Sequence, residues 1–212
     1  MKTEMVLLNH MKTMNKFRIF LNIALPLIII YEWLDMFCFA EENVLSTRGI
    51  ASLKYFTILS NFLEAFACAW WLYKKNEVLK YVASVSVMLT CIVVIVFLGP
   101  MFGYRAMYAG PNLWFHLLVP LAALFEVLFL VKRSYTKKEN LYAALPMAVY
   151  GIFYVGNNVI NGIGQRPHSN DWYGFLSWGY PIGVMIYFII LAVTYGIGFI
   201  IRKLNDLYDR DR

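Results

Sequence analysis

Thr57, Asn61 and Glu64 follow one another at intervals of four and three residues. On a helix that spacing makes a single stripe. A hydroxyl, an amide and a carboxylate on one stripe are parts of an activated-nucleophile site, and the missing part is a base. His116 supplies one, with Asn112 four residues before it on the same helix face. In that arrangement Thr57 attacks an ester carbonyl and His116 takes and returns the proton. Glu32 or Asp35, three residues apart, would hold the imidazole tautomer. Asn61 or Asn158 would donate to the developing oxyanion, and Asn157 completes the polar set.

These residues lie inside apolar segments, so the elements that position them are membrane helices. The chain has 212 residues, 60% hydrophobic, 17% aromatic and only 15% charged, with a mean hydropathy of +0.58. A soluble domain is nearer half apolar and a quarter charged. The apolar residues come in long blocks, which excludes disorder, a disulfide-rich module and a soluble nucleic-acid binder. Six blocks, 17–40, 55–73, 81–98, 113–131, 141–160 and 180–201, approach the roughly 20 residues that span a bilayer. The expected fold is an all-α bundle of six transmembrane helices over 17–201. A segment 1–16 precedes it and a tail 202–212 follows.

Lys and Arg set the expected orientation. The N-terminal segment, the second and fourth connections and the tail carry 15 of them, from Lys2 to Arg212; the opposite connections carry 4, Arg48, Lys54, Arg105 and Arg166. That asymmetry over short loops places both termini in the cytoplasm. Glu32, Asp35, Thr57, Asn61, Glu64, His116 and Asn157 then fall in the outer half of the membrane, at depths of roughly 3–13 Å counted at 1.5 Å per residue. Ionisable groups at that depth are costly and mark function. The expectation is one polar cavity opening outward. Glu126 alone falls in the inner half, and it is expected to reach toward Lys132 and Arg133.

Other readings use the same residues. Glu32, Asp35, Glu64 and His116 are metal-ligand types, but no local motif supports a site, so no metal or cofactor is expected. Carboxylates and a histidine can relay protons in a small-solute transporter, and a non-enzymatic scaffold would use the polar groups as interhelical bonds. The chain shows no internal repeat of the transporter kind. Glu32 and Asp35 interrupt the first block and argue against a cleaved signal peptide. Cys38, Cys68 and Cys91 lie in apolar segments and read as small buried hydrophobes. His168 with Asp171 reads as a solvated pair. The expected setting is a cell membrane, with membrane lipids as partners and no nucleic acid. The sequence carries no signal for an oligomeric state.

Three blocks resemble the androgen-induced and androgen-dependent membrane proteins. They are Tyr55-Phe56-Thr57 through Asn61, Asn112-Leu113-Trp114-Phe115-His116 through Pro120, and Asp171-Trp172-Tyr173-Gly174-Phe175-Leu176 before the last span. The chain is also similar to a bacterial group of six-helix membrane proteins that share Tyr-Phe-Thr-x-x-Ser-Asn and His-x-x-x-Pro. The resemblance covers the region from Arg48 to the end of the sixth span. It implies an intramembrane threonine hydrolase of fatty-acid esters in a bacterial plasma membrane, with Thr57 and His116 as the catalytic pair. Gly174 departs from the family's proline, the interval from Thr57 to His116 is shorter, and the pair Glu32 and Asp35 has no counterpart there.

Overall fold

The computed structural model of the chain describes residues 2–40, 47–165 and 169–210, with side chains from 12 to 208. Arg166 and His168 lie outside the described residues. The apolar blocks form six long helices: α1 (Lys2–Phe39), α2 (Phe56–Lys74), α3 (Glu77–Phe102), α4 (Pro111–Leu130), α5 (Lys137–Asn161) and α6 (Tyr180–Arg210). No strand occurs among the described residues. All but α2 are long and apolar enough to cross a membrane. α2, with 19 residues, is the shortest, and its Ser60, Asn61 and Glu64 are buried against neighbouring helices.

The helices run further than the apolar blocks. α1 begins before residue 17 and α6 continues into the expected tail as far as Arg210, because neither extension carries a glycine or proline. Asn205, in that extension, donates to Val127 O at 3.0 Å and ties α6 to α4. Gly99-Pro100 does not stop α3. Instead the helix widens into a π turn at Val94–Leu98 just before the proline, and α4 does the same at Trp114–Leu118 before Pro120. A proline has no N–H and its ring crowds the carbonyl four residues back, which a wide turn accommodates. His116 therefore sits on a π turn.

α3 is the centre, packed against α2, α4, α5 and α6, while α1 lies along α2. Tyr81, Val85 and Leu89 of α3 form its main core with Val127, Met147 and Ile197. The Tyr81 hydroxyl lies 2.7 Å from both Asn140 Oδ1 and Gly198 O, joining α3 to α5 and α6. A Cβ on Gly198 would overlap Asn140, and one on Gly151 would overlap the Tyr187 ring, so both close approaches need glycine. Cys68 and Cys91 are buried, whereas Cys38 is exposed on α1.

α2 and α3 are joined by a two-residue turn. Lys75 adopts φ +52 and Asn76 caps α3, its Oδ1 accepting from Leu79 N at 3.0 Å. This turn sets the first turn of α3 beside α1, α2 and α4, at the end of the bundle rich in Lys and Arg. Here Arg18 Nε donates to Glu126 Oε1 at 2.9 Å and Arg18 Nη1 to Glu77 Oε1 at 2.8 Å. Lys80 Nζ pairs with Glu64 and lies 3.1 Å from Glu126 Oε2. Asn22 Nδ2 adds a bond to Glu126 Oε1 at 2.8 Å, and Lys80 Nζ meets Cys68 Sγ at 3.0 Å. Glu64, Lys80 and Glu126 are fully buried.

This corrects two expectations. Glu126 does not reach toward Lys132 and Arg133, because Arg18 and Lys80 meet it inside the bundle. Nor is the polar clustering confined to the other half: the densest set of charges occupies this end. Two cations and two carboxylates, Arg18, Lys80, Glu64 and Glu126, balance in the dry part. Glu77 stands at the partly exposed edge, in the first turn of α3, where the helix dipole favours a carboxylate.

Breaking a buried pair leaves an uncompensated charge and costs about 3–5 kcal/mol, whereas replacing the whole pair is near neutral. Lys80→Met is therefore expected to lower stability by about that amount, and the added change Glu64→Leu to restore most of it. Thermal unfolding of the detergent-solubilised variants tests this; a Lys80→Met protein as stable as the parent would contradict it.

Candidate functional site

At the opposite end of the bundle, residues 169–179 of the last connection lie against α2 and α5. Asp171 organises it. Its carboxylate accepts from the Tyr154 hydroxyl and, through Oδ2, from Leu176 N at 2.9 Å. Asn158 Nδ2 donates to Tyr154 O at 2.9 Å and Asn170 O at 3.0 Å, tying α5 to the connection. Gly174 turns the chain at φ +75, and its N–H donates to Asp171 O at 3.0 Å. Proline could serve neither role, having φ near −65° and no N–H.

The result is an aromatic roof. Tyr154 and Trp172 meet edge to face with centroids 4.9 Å apart, and Tyr173 stacks on Phe175 at 5.2 Å. Trp172 Nε1 donates to the Tyr150 hydroxyl at 3.0 Å, and that hydroxyl donates to Lys54 O at 2.7 Å. The Tyr173 oxygen accepts from Phe56 N at 2.9 Å. Tyr55 gives α2 no side-chain cap, so Tyr173 satisfies the N–H that the helix start leaves open. Burial pushes the Tyr173 phenol up to about 12, so it is neutral at ordinary pH.

Beneath this roof lies a cavity of ≈ 70 Å³ between α2, α3, α5 and α6, walled by Thr57, Thr90, Tyr150, Tyr154 and Tyr173 among others. Thr57 is the second residue of α2, half-buried. Among the described residues its hydroxyl makes no hydrogen bond. Thr90 and Thr194 differ: their hydroxyls bond their own helices, at 2.7 Å to Val87 O and to Ile190 O.

His116 is buried on α4, with Nδ1 3.0 Å from Met107 O. A carbonyl only accepts, so Nδ1 carries the proton and Nε2 keeps its lone pair. His116 is not among the residues that wall the cavity, and no hydrogen bond joins it to Thr57 among the described residues. Asn61 links their neighbourhoods: its Nδ2 donates to Thr57 O at 2.8 Å and to Phe115 O at 3.3 Å.

The remaining expected site residues are distributed. Glu64, low on the stripe, belongs to the buried charge set. Asp35 and Asn112 flank a separate recess of ≈ 190 Å³ between α1 and the start of α4, and Glu32 is half-buried one turn away. Asn158 is a fully buried amide, and Asn157 lies on a largely apolar groove between α2 and α5. Among the described residues, His, Cys, Asp and Glu form no group of three able to hold a metal. The tyrosines of the roof were not foreseen as site residues. Their signal was the aromatic density of the last connection, which periodicity cannot assign to a cavity. In comparisons with family models, curated proteins and solved structures, nothing matches the chain.

Between its ordinary value near 10 and about 12, Tyr173 stays protonated in the fold while the unfolded chain ionises. Its contribution to stability is thus full below pH 10 and lost as pH rises through that window. Tyr173→Phe is expected to flatten the alkaline limb of a stability profile and, by orphaning the Phe56 N–H, to cost about 1 kcal/mol at neutral pH. An unchanged alkaline limb in the variant would contradict this assignment.

Proposed function

We propose that the chain is an intramembrane hydrolase of lipid esters, with Thr57 as nucleophile and His116 as base. It crosses the membrane six times with both ends cytoplasmic, in a bacterial plasma membrane, so the aromatic roof faces outward. The observation that carries the reading is Thr57 in the wall of a cavity, its hydroxyl making no hydrogen bond among the described residues. Supporting it are the free lone pair on His116 Nε2, the Asn61 amide that ties both backbones together, and the order of the three sequence blocks.

In this mechanism Thr57 Oγ1 attacks the ester carbonyl as His116 Nε2 takes its proton, directly or through one water. The oxyanion forms at the positive end of α2, beside the neutral Tyr173 phenol, both of which favour developing negative charge. Collapse expels the alcohol, which receives the proton from His116. Water then enters, gives its proton to the same imidazole, and releases the acid with the Thr57 hydroxyl restored. The cavity has the volume of a few waters, enough for this second step.

The test is turnover of a fluorogenic long-chain ester by the detergent-purified protein. Thr57→Ala is expected to abolish it and His116→Ala to lower it by about 10²–10⁴-fold, both in folded protein, while Thr57→Ser retains measurable activity. Full activity in either alanine variant removes the proposal. A parent protein inactive on esters, but able to drive proton-coupled uptake in liposomes, would favour a transporter.

A further inference from the structure

Thr194, Gly198, Arg202 and Asn205 follow one another along α6 at intervals of four, four and three residues, so they share a face. That face packs into the bundle: Tyr81 donates to Gly198 O at 2.7 Å and Asn205 to Val127 O at 3.0 Å. Arg202, between them, is 9% exposed. Arg18 and Lys80, also buried, each meet two carboxylates. Arg202 meets none among the described residues, and its buried Nε has no hydrogen-bond partner there. Asp206, one turn on, forms no ion pair with it, and Glu139 at the start of α5 pairs with Arg133. A guanidinium keeps its charge at any ordinary pH, so burying one without an anion is costly. A second observation shows the direction from which an anion would come. Phe199, on the preceding turn, is 43% exposed, and the Arg202 guanidinium and the Lys203 ammonium both stand over its ring, 5.4 and 6.0 Å from the centroid. Lys203 is exposed. The apolar run of α6 ends at Ile201, so the two cations stand where a hydrocarbon core gives way to headgroups.

We propose that Arg202 and Lys203 hold a phosphate group, that of an anionic lipid headgroup, with the Phe199 ring against the start of an acyl chain. The planar guanidinium suits two phosphate oxygens at once, and the neighbouring ammonium adds a point charge. Free phosphate offers the same oxygens without a chain to meet Phe199. A zwitterionic lipid offers the chain, but brings an ammonium that two cations repel. The inference rests on the membrane reading and not on catalysis, since the site lies at the end of the bundle opposite the Thr57 cavity.

Native mass spectrometry of the full chain, released from detergent with added phosphatidylglycerol or phosphatidylcholine of identical acyl chains, tests this. Phosphatidylglycerol is expected to be retained preferentially. Arg202→Gln should weaken its retention about tenfold, the effect of losing a charge-assisted hydrogen bond, and leave phosphatidylcholine unchanged. Lys203→Gln should weaken it about fivefold, and this exposed position carries the test if the first variant does not fold. Lys137→Gln, which removes an exposed cation at the start of α5, should change it less than about twofold, because salt screens a charge outside the site. Thr57→Ala should leave retention unaltered, so loss of esterase activity and loss of lipid binding are read separately. Inorganic phosphate, matched in ionic strength to a chloride control, should not displace the lipid; displacement would overturn the lipid as the source of the phosphate. Equal retention of both lipids by the parent, or retention as sensitive to Lys137→Gln as to Arg202→Gln and Lys203→Gln, overturns the proposal.

Discussion

The structure depends on keeping four charges dry without leaving any of them unpaired. Glu126 takes Arg18 of α1 on one oxygen and faces Lys80 of α3 with the other, and Lys80 reaches on to Glu64 of α2. Each of four helices contributes at least one member, so none can slide without exposing a buried charge. Such pairs add little net stability relative to an apolar core, but they penalise every alternative register. The basic end of the bundle is therefore the specified end.

That specification leaves the other end a different problem. There the helices are held by one carboxylate, Asp171, by paired amides and by stacked rings. Rings pack with gaps at their edges, and the spaces left there include the Thr57 cavity and the groove between α2 and α5. Phe56, Tyr150 and Tyr154 separate them. On the proposed hydrolase reading, this aromatic end with its internal space is where an amphiphile's ester would meet Thr57.

The six helices were legible in the sequence as apolar blocks, although α1 and α6 run beyond them. The helical stripe of Thr57, Asn61 and Glu64 was legible too, but its destination was not. Seven residues of helix cover about 10 Å, enough for Thr57 to meet the roof and Glu64 to meet Lys80. By its position near Lys74 and Lys75, Lys80 reads as one of the cations of the second connection, whereas the tight turn at Lys75 and Asn76 draws it inside. Arg18 is separated from Glu126 by 108 residues, so no local pattern announces that pair. The role of Tyr173 in satisfying the start of α2 was equally hidden, since only the folded connection brings it there.

Identifying which side chain forms a covalent bond bears most directly on the account. The parent protein would be treated in detergent with a fluorophosphonate carrying a long alkyl chain, digested, and its adduct located by mass spectrometry. The account requires the added mass on the Thr57 side chain. Modification at another residue, with Thr57 intact in a folded and esterolytic protein, would contradict it.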